Sequence, residues 1–242
     1  MKKLFLVAIM TAAISLVACG TSGIGEEVGT VPPPLENPSG FVAITFDDGP
    51  FPWTGRLLDI LAEHQVRATF FLIGNNIQNN RAQAEAIFAA GHDLANHSWN
   101  HVSLGSSSLD TIRDELSRTS AVIREITGGD TPFFRAPNLN YGANLTQVAT
   151  ELGLSIIGSD AISQDWNPLT PEQIAANVRN ATNGSIILLH EQWGSATDRT
   201  ELAVPIIIRE LRLRNLEVVS LSELLERRGA TLTPGTLYNR IN

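Results

Sequence analysis

Two histidines four residues apart and two adjacent aspartates carry the clearest chemistry in this sequence. His97-Ser98-Trp99-Asn100-His101 holds the histidine pair. On a helical turn this spacing puts both rings on one side, where they can share one metal ion. Asp47 and Asp48 lie together in Thr45-Phe46-Asp47-Asp48-Gly49-Pro50. Neighbouring carboxylates repel, so burying either calls for a cationic partner. The Gly-Pro turn that follows lets both side chains stay in one place. Asp48 with His97 and His101 would make a two-imidazole, one-carboxylate set with an open position for water, as a catalytic zinc site requires. Such an ion brings the pKa of bound water towards neutrality and polarises a carbonyl. Asp47 is then free to act as general base, held by Arg135. His190 closes the buried-type run Ile186-Ile187-Leu188-Leu189. An imidazole there suits a general acid, with Asp165 to raise its pKa. Together these groups point to metal-assisted hydrolysis of a carbonyl compound.

Each segment also has a plainer reading. Asp-Asp-Gly-Pro is a common surface turn, a histidine can pack in a core, and an arginine can cap a helix. His64 and His92 lack a comparable setting and read as structural. Trp53, Trp99, Trp166 and Trp193 all lie within a few residues of the polar groups. Aromatic faces around a polar mouth suit a sugar ring, although tryptophan also fills cores.

The elements that must position these groups follow from periodicity. Strands are predicted at 41–46, 68–73, 93–96, 133–135, 154–158, 185–189 and 216–219. Helical patterns lie at 55–64, 109–126, 144–152, 171–181 and 201–214. Thr170-Pro171 reads as an N-cap followed by proline at the first helical position. Strands alternating with helices imply parallel βα units in an α/β fold. Asp47 and Asp48, His97, Arg135, Asp160 and Asp165, and His190 follow or end different strands. A barrel brings such strand ends to one mouth, whereas an open sheet spreads them along an edge. The prediction is an irregular, incomplete (β/α) barrel of seven to eight units in a single domain.

The composition permits this and excludes other classes. The chain has 242 residues, 43% hydrophobic and 17% charged, which is enough for one sizeable core and rules out disorder throughout. A net charge of -8 argues against binding a nucleic-acid backbone. A lone cysteine excludes an intramolecular disulfide and a cysteine-rich zinc site. Lys2 and Lys3 precede the apolar run Leu4–Ala18, which is shorter than the about 20 residues of a spanning helix. Residues 1–18 therefore read as an export signal. Leu16-Val17-Ala18-Cys19 resembles a bacterial lipobox, in which Cys19 becomes a lipid-bearing N-terminus. Residues 19–39 read as a flexible tether and 40–242 as the catalytic domain. The expected location is outside the cytoplasm, lipid-anchored to the bacterial cell envelope. A monomer is the default.

The ordered segments resemble the polysaccharide deacetylases of carbohydrate esterase family 4, the NodB-homology domain. The resemblance is collinear from about Phe41 to Leu224. Thr45–Pro50 is similar to the first family motif, whose first Asp is base and whose second binds metal. His97–His101 is similar to the second, which supplies both metal histidines. Arg135-Ala136-Pro137 is similar to the third, whose arginine orients the base. Asp165-Trp166 is similar to the fourth, in which Trp walls the pocket and Asp tunes the acid. Leu188-Leu189-His190 is similar to the fifth, in which Leu lines the acetyl-methyl pocket and His is the acid. The resemblance implies a zinc ion, with cobalt as a substitute. It also implies a substrate pocket that includes Trp166, Leu188, Trp193 and Pro137. Two departures stand out. Asn138-Leu139 replaces the usual Tyr-Gly, so the backbone N–H of Asn138 takes the oxyanion role. Ile162 stands where a further Asp is common, which raises the question of whether Asp160 replaces it. The segment after Arg135, Asn167-Pro168 and the tail at 232–239 look most like the acetylxylan-esterase branch.

The favoured substrate is therefore O-acetylated xylan, with N-acetylglucosamine polymers such as peptidoglycan or chitin as the alternative. A glycoside hydrolase would need two carboxyl groups about 5–9.5 Å apart across a bond and would leave the histidine pair without work. A lipoprotein that only binds glycan would not need every catalytic residue type.

Overall fold

The computed structural model describes residues 30–191 and 197–242, with the side chains of 197 and 198 excepted. Residues 1–18, read above as an export signal, and Cys19 and Trp193 lie outside the described residues. Nine strands form one sheet: β1 (Gly40–Asp47), β2 (Thr69–Leu72), β3 (Asp93–Asn96), β4 (Phe133–Phe134), β5 (Ser155–Ile157), β6 (Ala161–Ile162), β7 (Ile186–His190), β8 (Leu216–Val219) and β9 (Leu237–Tyr238). Eight helices surround it: α1 (Thr54–Glu63), α2 (Gly74–Asn79), α3 (Arg81–Ala89), α4 (Leu109–Thr127), α5 (Ala143–Glu151), α6 (Pro171–Val178), α7 (Thr197–Leu213) and α8 (Leu221–Arg228).

β1 is the hub. Its sequence, GFVAITFD, is buried at seven of eight positions, the near-continuous burial of a strand covered on both faces. It pairs with β2, β7 and β8, all parallel. The sheet runs β6-β7-β1-β2-β3-β4-β5-β9, with β8 joined to β1. Among the described residues β6 and β9 do not pair, so the sheet curls into the incomplete (β/α) barrel that strand periodicity predicts. Since every strand pair is parallel, all the C-terminal strand ends face one mouth.

Local sequence explains the helix ends. Ser108 caps α4 by accepting the Thr111 N–H, and Gly128 ends it in the left-handed conformation at φ 74°. Thr170 and Gln173 form a capping box on α6, with Pro171 at its first turn. Helices α2, α3 and α8 and the short strands β6 and β9 add to the predicted elements. α7 starts four residues before the helical pattern at 201.

Part of the segment 19–39, which composition reads as a tether, makes contacts with the domain. Of residues 19–39, those from 31 onward that the structure describes dock on the domain. Val31 packs on the main core. Arg212 Nη1 donates to the Pro32 carbonyl at 2.8 Å, and Leu35 N–H donates to Glu217 Oε2 at 2.6 Å. Arg212 and Glu217 are themselves a buried pair, with Nε and Nη2 both on Glu217 Oε1. The pair leaves a spare donor and a spare acceptor, and the entering backbone satisfies both. This clip sits at the N-terminal end of β8, at the opposite end of the barrel from the mouth.

Removing one partner of a buried ion pair strands the other. Glu217→Ala is expected to destabilise the fold by about 3–5 kcal/mol, read as a lower urea midpoint at unchanged slope. A loss below about 1 kcal/mol, the range of exposed pairs, would show that the clip does not hold the domain.

Candidate active site

The site grows from the ends of β1, β3, β4 and β7. Asp47 ends β1 and is paired in register with His190 at the end of β7. Neighbouring strands lie about 4.8 Å apart, so the ladder itself sets these two groups side by side. Asp47 is buried, and Arg135 Nη1 donates to its Oδ1 at 2.6 Å. Arg135 is fully buried and uses each of its guanidinium nitrogens. Nη1 also donates to Thr45 Oγ1, Nε to the Ile157 carbonyl and Nη2 to the Gly158 carbonyl. Its Cζ lies 4.0 Å from the centre of the Phe71 ring.

Asp48 leaves β1 in the left-handed region at φ 77°. Its Oδ1 lies 3.4 Å from His97 Nε2 and 3.1 Å from His101 Nε2. That oxygen is buried and has no hydrogen-bond partner. His97 Nδ1 lies 2.9 Å from the Arg135 carbonyl. Such a contact fixes the proton on Nδ1 and leaves the Nε2 lone pair for a ligand. One carboxylate oxygen and two imidazole nitrogens within 4.8 Å of one another match the donor set of a divalent zinc-type ion, and the unpartnered oxygen is the group such an ion would satisfy. Burial would raise the Asp48 carboxyl, but the His101 and His97 rings win and hold it well below the usual carboxylate range. Asp48 in turn raises the His101 ring.

The histidine pair does not sit on a helical turn. Residues 97–101 form a bent loop, with Ser98 at φ 64° and His101 at φ 57°. The rings still converge, their centroids 5.0 Å apart.

His190 faces a second carboxylate. Its Nδ1 lies 2.7 Å from Asp165 Oδ1, and its backbone N–H donates to Asp165 Oδ2. Thr200 Oγ1 donates to the same Oδ2 at 2.9 Å. Burial alone would lower the His190 ring. Asp165, with smaller contributions from Asp47 and Asp48, raises it to about 9. Trp166 is 54% exposed and stands edge-on to the His190 ring at 5.3 Å.

These groups open into one cavity of about 750 Å³, lined by Asp47, Asp48, His97, His101, Leu188, His190 and Trp166, with Asn138, Leu139 and Ile162 on its rim. Asn138 has φ 56°, and no described group accepts its N–H. Two sequence expectations need correction. Pro137 is buried beneath the rim as the first residue of a 3-10 turn, and its neighbours Ala136 and Asn138 line the cavity instead. Trp99 is buried under Arg118, so it is not a mouth aromatic. Asp160, which the sequence leaves open as a substitute at position 162, turns its oxygens to Ser185 Oγ and the Ile186 N–H and does not line the cavity.

The cavity also contains residues that the sequence reading missed. Arg199, on α7, lines it, with no carboxylate paired to it among the described residues. Glu191 follows His190 and is buried. Burial pushes its carboxyl up to about 8, against the Thr54 hydroxyl that donates to Oε2, while the Asp48 charge adds to the rise. A Cβ on Gly49 would overlap Glu191 Oε1, so a larger residue at that turn would have to displace this buried side chain.

The sequence pattern described as polysaccharide deacetylase matches residues 35–157. A "Bifunctional xylanase/deacetylase" of Pseudobutyrivibrio xylanivorans is 33% identical over 222 residues, 90% of this chain. The chain spans only 35% of that relative's length. A "Peptidoglycan-N-acetylglucosamine deacetylase" of Bacillus cereus is 30% identical over 204 residues, which cover 83% of this chain and 95% of the relative. Among solved structures, a family 4 acetyl xylan esterase from Clostridium thermocellum in complex with cobalt superposes with a TM-score of 0.77 at 35% identity. It covers 83% of this chain and 98% of its own.

The raised His190 ring has a consequence for stability. Its pKa rises from 6.5 to about 9 on folding. The metal-free protein therefore holds this contribution in full below about pH 6.5 and loses it as pH climbs through about 9. Asp165→Asn is expected to lower the ring's pKa and flatten that dependence. Histidine NMR titration with urea unfolding at several pH values reads both. An unmoved His190 resonance would deny Asp165 this role.

Proposed function

This chain belongs to the polysaccharide deacetylase family, and from that premise we propose that it removes acetyl groups from a polysaccharide, with O-acetylated xylan as its favoured substrate. The observation that carries this reading is the single cavity in which the Asp48–His97–His101 set meets both Asp47 and His190. Similarity to the xylanase-linked relative and to the acetyl xylan esterase structure supports xylan. The Bacillus cereus relative favours a second reading, an N-deacetylase of amino-sugar polymers.

Asp48, His97 and His101 would hold one divalent ion, zinc by donor type and cobalt as a substitute. When bound, that ion acidifies water and polarises the acetyl carbonyl. Asp47, anchored by Arg135, takes a proton from the attacking water as it adds to the carbonyl carbon. The Asn138 N–H, free of any described acceptor, donates to the oxygen on which charge develops. His190, held protonated by Asp165, gives its proton to the departing sugar oxygen, and acetate is released. Leu188 lies in the cavity lining and offers the apolar wall for the acetyl methyl group. The exposed face of Trp166 offers a platform for the sugar ring.

Export and lipid attachment through Cys19 belong to the same proposal. The clip at Pro32 and Leu35 holds the chain at the end of the barrel opposite the mouth, which supports an anchor on that side.

Acetate release on acetylated xylan, N-acetylchitooligosaccharide and peptidoglycan tests the substrate. Asp47→Asn and His190→Ala should each lower kcat by about 10²–10⁴-fold, and chelation should abolish turnover until zinc is restored. Wild-type rates in both variants, or indifference to chelation, would overturn the mechanism. Acetate from the amino-sugar polymers alone would replace xylan with the second reading. For the anchor, Cys19→Ala should move the protein from the membrane fraction to the soluble one, and continued membrane association would refute lipidation there.

A further inference from the structure

Glu115 is a buried carboxylate on α4, outside the cavity and 5% exposed. No cation pairs with it among the described residues. Three N–H groups face it instead. Trp99 N and Asn100 N each donate to Oε2 at 2.8 Å, and Asn100 Nδ2 donates to Oε1 at 2.8 Å. Both oxygens act only as acceptors, the pattern of an ionised carboxyl group. A buried carboxylate without a cation persists only where such hydrogen bonds compensate its lost hydration.

All three donors come from the centre of the loop whose two ends are His97 and His101. The loop is locally unfavourable, since Ser98 and His101 both take left-handed backbone conformations that residues with a Cβ rarely adopt. It is tied on its other side as well. Asn96 Oδ1 accepts the Ser98 N–H, and Ser98 Oγ accepts the His101 N–H. Those ties are internal to the strand end and the loop. Helix α2 holds the same stretch through the Gly74 and Asn75 N–H groups, which donate to the Ser98 and Trp99 carbonyls, and Arg118 of α4 lies over the Trp99 ring; Glu115 supplies the hydrogen bonds that tie the middle of the loop to α4.

We propose that Glu115 is a positioning residue: its carboxylate pins Trp99 and Asn100 to α4 and so holds His97 and His101 convergent for the ion. The inference rests on the metal site proposed above. It assigns the cost of burying Glu115 to the preorganisation of two ligands that it does not touch.

The test uses the full-length protein and zinc alone, with affinity read by competition against a chromophoric chelator and stability by melting the metal-free protein. Glu115→Met fills the same volume without an acceptor. It should weaken zinc binding by about 10–100-fold, as loss of outer partners of metal ligands does. Glu115→Gln keeps one oxygen for the two backbone N–H groups, and its amide can donate to a flipped Asn100. It should recover most of the affinity. Unchanged affinity in Glu115→Met, or a Gln variant as weak as the Met variant, would overturn the proposal. So would a fall in melting temperature without a change in affinity. If Glu115→Met does not fold, Asn100→Ala, which removes the Oε1 contact at an exposed residue, should show a smaller loss, and no loss would count against Glu115. A wild-type protein that binds no zinc would overturn the metal site itself, a result distinct from all of these.

Discussion

The buried guanidinium of Arg135 is the interaction on which the rest of the site depends. It follows the two-residue strand β4 and has no contact with solvent. Burying a charge of this kind is tolerable only when its donors are met, and Asp47, Thr45 and two backbone carbonyls from the end of β5 meet them. The residue therefore joins β1, β4 and β5 at their C-terminal ends. Its backbone does a second task, since the Arg135 carbonyl takes the Nδ1 proton of His97. The orientation of the proposed base and the tautomer of a proposed ligand are thus fixed by two ends of one residue. A change that disturbs this position disturbs both.

The same frame supports backbone conformations that would not persist alone. Asp48, Ser98, His101, Asn138, Leu139 and Gln164 all have positive φ, and all lie in the segments that follow the strands into the mouth. Each such conformation costs of order 1 kcal/mol or more. The surrounding bonds offset this. Asn76 Nδ2 donates to the Asp48 carbonyl, the Gly74 N–H to the Ser98 carbonyl and the Asn75 N–H to the Trp99 carbonyl. Helix α2, though only six residues long, ties the first two metal-binding segments to each other.

The hub of the fold was legible because it is built from strong local signals. β1 and β7, GFVAITFD and IILLH, are rich in apolar and β-branched residues, and each ends in a polar group that a shared mouth reconciles. Helix α2 was not legible because GNNIQN holds a single large apolar residue, and α3 because the large apolar residues of RAQAEAIFA, Ile87 and Phe88, are adjacent and mark no helical period. The four-residue histidine spacing suggested a helical turn, but tertiary ties at Ser98 and Glu115 override local preference. Glu115 did leave a trace. It lies one turn from Ile112 and one turn from Thr119 on the buried face of α4, where a carboxylate is out of place. Glu191 left no such trace, since nothing in its neighbours foretells burial of a carboxyl group behind Gly49. Arg199 lay just ahead of the recognised helical period and so was not connected with the mouth.

The division of labour within the site follows from how each part is held. Asp47 and His190 face each other through a parallel ladder, and a slip of one residue would turn either side chain to the opposite face. Their separation is therefore as rigid as the sheet. The environments of the two groups differ as proton transfer requires: a guanidinium bonds one and a carboxylate the other. The groups placed to meet the rest of a sugar chain stand outside β1 and β7: Leu139 after β4, Ile162 at the end of the two-residue β6, Trp166 beyond it and Arg199 near the start of α7. Reaction type then resides in the strands and substrate choice in the rim. On this view, relatives named for xylan and for peptidoglycan can share one catalytic frame with this chain.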